Sequence, residues 1–185
     1  MKKILTIVAA MFMCVAMQAQ ENEVYAEYTP YKLHADGIIG GASENITSIA
    51  LGYNRFFGVA CEGALKVVAG GKLTYGSKDD FKHFNVRVPV SIMYSIPVAE
   101  SFAVEPYAGL NATIGIVADL DGDSWYDEDL VDANRINAGW HVGVDFAYKQ
   151  FVLGAAYQHD FTKFYDNVAG NGKWSDFEIK LGYRF

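Results

Sequence analysis

From Phe84 to Ile116 the side chains alternate in character with a period of two. Phe84, Val86, Val88, Val90, Ile92, Tyr94 and Ile96 occupy one face, and Asn85, Arg87, Pro89, Ser91, Met93 and Ser95 the other. After a short turn at 97–101 the pattern resumes, with Phe102, Val104, Pro106, Ala108, Leu110, Ala112, Ile114 and Ile116 set against Ala103, Glu105, Tyr107, Gly109, Asn111, Thr113 and Gly115. A helix would repeat every 3.6 residues, so the segment predicts two long antiparallel strands. Strands of soluble proteins average about five or six residues, whereas a tilted strand needs about nine to eleven to cross a hydrocarbon layer.

The same alternation recurs along the chain. The C-terminal end sets Phe177, Ile179, Leu181, Tyr183 and Phe185 against Glu178, Lys180, Gly182 and Arg184, and the chain stops on an aromatic residue. Ile136 to Tyr148 and Phe151 to Phe161 alternate likewise, joined by a two-residue turn at Lys149 and Gln150. Upstream lie Ser48 to Asn54, a break around Phe57 and Gly58, then Val59 to Tyr75, and a first strand expected at Val24 to Leu33. These are eight strands. Their connections, near 34–45, 56–58, 76–83, 97–101, 119–134, 149–150 and 163–173, alternate long and short. That is the pattern of an up-and-down barrel with turns on one side of a membrane, loops on the other and both termini on the turn side.

The first residues, MKKILTIVAAMFMCVAMQAQ, place two lysines before an apolar run from Ile4 to Met17 and a small residue at Ala19, the layout of a cleaved signal peptide. Residues 1–19 are therefore expected to be removed and 20–185 to form one domain. The run is too short for a bilayer-spanning helix, and no longer one exists, so a helical transporter is excluded. The whole chain carries a net charge of −7, and removal of Lys2 and Lys3 leaves 13 basic against 22 acidic side chains, net −9. That balance argues against a nucleic-acid partner. Cys61 is the only cysteine left, so no intrachain disulfide is expected, and no Cys/His metal spacing is present.

Alternation alone does not say which face is out. The less apolar face carries many glycines (Gly70, Gly109, Gly115, Gly139, Gly143, Gly154, Gly182) and few lysines, as a crowded interior would. Aromatics gather near the short turns (Phe56, Phe57, Tyr94, Phe102, Phe146, Tyr148, Phe151, Tyr183, Phe185), as an interfacial girdle would. The expected fold is therefore all-β, an eight-stranded antiparallel up-and-down transmembrane β-barrel with its apolar face toward lipid. A secreted lipocalin-like carrier or sandwich is the alternative.

The runs FNVRVPVSIMYSIPV, FAVEPYAGLNATIG and INAGWHVGVDFAYKQFVLGAAYQHDF and the ending FEIKLGYRF resemble the small outer-membrane β-barrel proteins of diderm bacteria, with OmpA/OmpX-like transmembrane domains. The resemblance covers most of residues 24–185. It implies residence in the outer membrane, contact with outer-membrane lipid, and recognition of the last strand by the insertion machinery, with Tyr183 and Phe185 at the aromatic positions. Gly182 sits closer to the end than the familiar glycine. Pro89 and Pro106 within strands predict local bulges.

An eight-stranded barrel has room only for its own side chains, so a large aqueous pore is not expected. The inward set, Glu27, Glu62, Glu105, Asp145, Asp160, Asp176 and Glu178 with Lys66, Lys72, Arg87, Lys180 and Arg184, predicts an ion-paired plug. Counted from the short-turn ends, Lys66, Arg87, Asp160, Asp176 and Glu178 fall at similar depth. His141 is expected inside, and His34 and His83 in or near loops. His159 is expected outside, where Ser175 of the last strand could approach it; a lipid-modifying enzyme would require that pair, an orienting group and an oxyanion site. The acidic loop DLDGDSWYDEDLVDAN, 119–134, lacks the EF-hand spacing, so a solvated loop is expected, with weak calcium binding as the alternative. Trp125, Tyr126, Phe164 and Tyr165 are expected on exposed loops, available to a cell-surface ligand. The expectation is a monomeric, non-enzymatic structural or surface-interaction barrel with no catalytic, cofactor or metal residues.

Overall fold

A computed structural model describes residues 21–37, 42–79, 81–120, 123–124, 134–167 and 170–185. The signal peptide expected at 1–19 lies outside the described residues, as does most of the acidic loop. Eleven strands follow in order: β1 (Glu21–Gly37), β2 (Ala42–Ala60), β3 (Leu65–Lys78), β4 (Phe81–Tyr94), β5 (Ile96–Ala99), β6 (Phe102–Leu120), β7 (Asp123–Ser124), β8 (Ile136–Tyr148), β9 (Phe151–Asp160), β10 (Tyr165–Asn167) and β11 (Gly170–Arg184). Eight of them build the wall in the order β1, β2, β3, β4, β6, β8, β9, β11, each antiparallel to the next, and β11 pairs with β1 to close it. β5, β7 and β10 are short pieces paired to β6 or β11. Closure removes the unpaired edges that an open sheet would present to lipid. At the turn end Asn22 N–H donates to Phe185 C=O at 3.1 Å, and Phe185 N–H to Asn22 C=O at 2.9 Å, so the last residue is tied into the seam.

The strands run further than alternation predicts. β1 begins at Glu21 and ends at Gly37, and β2 begins at Ala42, so the expected loop at 34–45 is mostly strand. The expected break at Phe57 and Gly58 is absent: β2 continues to Ala60 with a register shift between Gly58 and Ala60, and the turn is a single 3-10 turn at Cys61–Gly63. Cys61 itself adopts φ 54° there and its thiol is free and exposed.

The prolines act otherwise than as bulges. Pro106 pairs in register with Val144 on β8, and on its other side the ladder stops. β4 ends with Met93 opposite Tyr107, and β5 resumes with Ile96 opposite Val104. A residue without an N–H cannot donate there, which divides one long strand into β4 and β5. Opposite Pro89 the β3–β4 ladder skips from Ala69–Val90 to Lys72–Arg87 with the register unchanged. The register shift on β4 lies instead between Phe84 and Asn85, where Ile116 of β6 is the extra residue.

The faces settle the environment. Leu51 is 69% exposed, Leu181 65% and Leu153 55%, while Arg87 is 1% exposed and Asp145 and Glu23 are 0%. In water this arrangement would forgo about 25 cal/mol for each Å² of apolar surface and bury charge as well. Against acyl chains it is the stable one, so the barrel spans a membrane and the lipocalin-like alternative, with a dry apolar interior, is not what forms. Tyr94, Tyr148, Phe151, Tyr183 and Phe185 stand exposed at the turn end as the girdle requires. Phe56 does not belong to it. Its side chain points inward, 2% exposed, against Val68 and Met93, with the Arg184 guanidinium 4.5 Å from the ring centre.

Candidate functional site: the lumen and the outer rim

Small residues make the interior possible. A Cβ on Gly52 would collide with the ring of Tyr25, one on Gly143 with Tyr107, and one on Gly76 with His83 and Ser48. Each of these three side chains lies across a glycine of the neighbouring strand, which leaves room for it.

Over these positions two ion chains form. The first, at the turn end, alternates in sign: Glu21, Lys66, Glu105, Arg184, Glu23, Lys180, Asp145. Lys66 reaches Glu21 at 2.6 Å and Glu105 at 3.8 Å; Arg184 reaches Glu105 at 2.6 Å and Glu23 at 2.9 Å; Lys180 reaches Glu23 at 2.9 Å and Asp145 at 2.6 Å. The second, deeper, runs Glu27, Lys72, Glu178, Arg87, Asp176. Lys72 donates to Glu27 at 2.6 Å and also to Glu178. Arg87 is its centre: Nη1 donates to Glu178 at 3.0 Å, Nη2 to Asp176 at 3.1 Å and to Tyr31 Oη at 2.8 Å, and Nε to Thr113 at 3.0 Å. Buried charges are tolerated when each meets opposite charge, and these do, although Asp145 Oδ1 and Asp176 Oδ1 find no hydrogen-bond donor among the described residues.

The predicted plug is thus present, with corrections to its layers. Arg87, Asp176 and Glu178 meet as their depth implies, but Lys66 does not join them. It belongs to the turn-end chain, and Lys72 takes the expected place. Asp160 bonds with Gln158 at 3.3 Å rather than with a base. The cause is stagger, because barrel strands tilt and the register advances around the wall, so residues equally far from their turns lie at different heights. The side chains of Glu62 and His34 lie outside the described residues. His141 is inside as expected and meets Ser91 Oγ at 2.6 Å. His83 is not in a loop: it sits on β4, buried, 2.9 Å from Ser48 Oγ.

Two polar cavities lie among the described residues. One of about 40 Å³ lies between Tyr25, Lys72, Tyr107, His141 and Asp145 below Arg87, and one of about 20 Å³ between Tyr31, Asn85, Thr113 and Asp160 above it. Asn85 Oδ1 and Asp145 Oδ1 have no hydrogen-bond partner among the described residues, so both spaces are polar enough to hold water. They have room for about one to three waters and no larger solute. The long-loop mouth is closed by an apolar cluster of Tyr31, Ile46, Phe81, Ala118, Phe164 and Trp174. Phe164, expected on an exposed loop, is 4% exposed: the turn after β9 folds it over the lumen, its N–H donating to Gly172 C=O at 2.7 Å. Trp125, Tyr126 and the Tyr165 side chain lie outside the described residues. No group of three metal-ligating side chains occurs among the described residues.

On the outside, His159 of β9 and Ser175 of β11 are direct cross-strand partners. Both face outward near the long-loop end, with the Trp140 ring 6.3 Å from that of His159.

No family model and no curated protein matches the sequence. Solved structures do match it in shape. Ail, the attachment invasion locus protein of Yersinia pestis, aligns at a TM-score of 0.55 and 15% identity over 91% of this chain and 100% of its own. Neisserial surface protein A aligns at 0.54 and 14%, over 91% and 100%. The outer membrane enzyme PagL aligns at 0.56 and 12%, over 84% and 98%. The fold is that of the eight-stranded outer-membrane barrels. This one wall is shared by a protein named for attachment and by an enzyme, so the wall alone does not assign an activity.

Proposed function

We propose that this chain is a non-enzymatic barrel of the bacterial outer membrane whose work is done by its long-loop face, as a structural or surface-interaction protein. The observation that carries the reading is the lumen, which is occupied by two ion-paired chains and roofed by Phe164 and Trp174, with spaces of only about 40 and 20 Å³. A channel needs a continuous path, and a small-ligand carrier needs a dry cavity. The described residues build neither. The attachment-locus and surface-protein names of two similar structures support a surface role. We further propose that the chain is monomeric, touches outer-membrane lipid directly, and is inserted through recognition of β11.

Two measurements test this. Pure protein, shown to be folded by the shift of its gel mobility on boiling, should give no sustained large conductance in a planar bilayer; a steady large conductance overturns the filled lumen. The competing enzymatic reading rests on His159 beside Ser175. Incubation with acylated outer-leaflet glycolipid should leave its mass unchanged, and loss of an acyl chain by the native protein but not by His159→Ala would replace our reading with that one.

A further inference from the structure

We propose that the lumen beneath Phe164 holds a buried binding site for one small monovalent cation of sodium's size, with Asp160 as its counter-charge. The site lies inside the wall, so it stands independently of what the long-loop face binds.

Charge points to the ligand. Each of the two luminal ion chains begins and ends on a carboxylate, so each carries one acid more than its bases. The turn-end chain sheds that excess at Glu21, whose side chain is 51% exposed. The deeper chain has no such outlet, because Glu27, Glu178 and Asp176 are all buried. Asp160, 2% exposed, adds a further carboxylate beside Arg87. All 13 lysines and arginines that follow residue 19 lie among the described residues, and none of them forms an ion pair with Asp160. Its side-chain hydrogen bond comes from Gln158 Nε2 at 3.3 Å. Arg87 cannot neutralise it, since its guanidinium is already divided between Glu178 at 3.0 Å and Asp176 at 3.1 Å. A carboxylate so placed, out of water and without a base, calls for a positive partner.

The cavity of about 20 Å³ beside Asp160 supplies the place. Four neighbouring wall strands each bring an oxygen-bearing side chain to it: Asn85 from β4, Thr113 from β6, Asn137 from β8 and Asp160 from β9. Asn85 is 8% exposed, and its Oδ1 has no hydrogen-bond partner among the described residues. Thr113 Oγ1 accepts from Arg87 Nε at 3.0 Å, and Asn137 Oδ1 accepts from Thr162 Oγ1 at 3.3 Å. Each of those oxygens keeps a second lone pair. One carboxylate with amide and hydroxyl oxygens is the ligand chemistry of a hard cation. The single carboxylate and the adjoining guanidinium favour one positive charge over two, and calcium takes about six to eight oxygens, more than converge here. The space suits one particle about the size of a water molecule. Phe164 and Trp174 line its mouth side, so the ion and Asp160 attract each other away from bulk solvent. The larger cavity lacks this arrangement: the carboxylate there, Asp145, already meets Lys180 at 2.6 Å.

The test is urea unfolding of the full barrel in detergent at constant ionic strength, with sodium chloride exchanged stepwise for choline chloride, whose cation is too large for the cavity. A ligand of the folded state multiplies the folded-to-unfolded ratio by one plus its concentration over Kd, so the ratio should climb toward about tenfold per decade of sodium. Asp160→Asn should abolish the climb, and Asn85→Leu should move its onset to about tenfold higher sodium or beyond. Asp145→Asn, in the other cavity, should keep the native slope whatever its own stability. A native protein indifferent to sodium, an unchanged slope in Asp160→Asn or Asn85→Leu, or a lost slope in Asp145→Asn would each overturn the site. So would the same climb produced by calcium at about a hundredth of the sodium concentration, which would mark a divalent site. The boiling-dependent gel shift reports barrel folding for every variant, so a variant that fails to fold is told apart from one that folds without binding.

Discussion

Removing the Arg87 side chain should be the most damaging single change inside the barrel. Its guanidinium is 1% exposed and donates four hydrogen bonds, two of them to the carboxylates of Asp176 and Glu178. In Arg87→Met the volume is nearly kept, but among the described residues Asp176 loses its ion-pair partner and Glu178 retains Lys72. Breaking a buried pair from one side costs about 3–5 kcal/mol. With a urea dependence of about 2 kcal/mol per molar, the unfolding midpoint should fall by about 2 M. The assay is reversible urea unfolding in detergent or thin bilayers, followed by tryptophan fluorescence and the gel shift. Lys66→Met is the comparison: its nearer partner Glu21 has a side chain 51% exposed, a rim pair worth about 1 kcal/mol or less, and Glu105, 3.8 Å from Lys66, keeps Arg184 at 2.6 Å. Adding Asp176→Asn to Arg87→Met removes one stranded charge and should recover much of the loss. If Arg87→Met costs no more than Lys66→Met, or if Asp176→Asn gives no recovery, the lumen is hydrated enough to screen its charges and the reasoning is refuted.

Other consequences follow from the same geometry. Leu153→Arg, on the lipid face, should destabilise the inserted barrel by about 2–4 kcal/mol if its site is near the bilayer centre, checked by folding titrations into lipid vesicles; a neutral result would mean that this face does not meet hydrocarbon. Gly52→Ala should cost about 1–3 kcal/mol because its Cβ lands on the Tyr25 ring, and Tyr25→Leu in the same chain should relieve it, both read from urea midpoints. Trp174→Ala should cost about 3–5 kcal/mol and speed hydrogen exchange of the luminal ends of β1 and β4, because Tyr31, Phe81, Phe164 and His83 lose the ring they pack on. Unchanged exchange there would show that the apolar cluster does not seal the mouth.

The elements differ in how much of them the sequence reveals. β4, β6 and the end of β11 are legible because lipid on one side and a polar lumen on the other impose strict alternation, and a slip of one residue would reverse every side chain. Ends are less legible: His34 to Gly37 and Ala42 to Asn45 read as loop because their composition loses its contrast once the strand rises beyond hydrocarbon, yet backbone pairing between β1 and β2 continues there. Phe56 and Phe164 were expected on surfaces because aromatic residues suit an interfacial girdle or a loop as well as a packed mouth. His83 read as loop because it lies just beyond the clear alternation, where no local pattern reports that Ser48 is across the lumen. No local pattern at Asp160 reports that Gln158 is the side chain that donates to it.

Alternation, strand length, the even count of strands, the glycines of one face and the aromatics near the turns are local or additive properties, and together they predicted a barrel with its apolar side in lipid. Which charges meet did not follow from them. The partners of Arg87 lie 89 and 91 residues away, and those of Arg184 that include Glu23 lie 161 away. Their contact depends on tilt and stagger summed around a closed wall, a quantity no single strand contains. The same sum sets Lys32 beside Ser175 and Ser175 beside His159, a row that exists only once β11 has met β1 and β9.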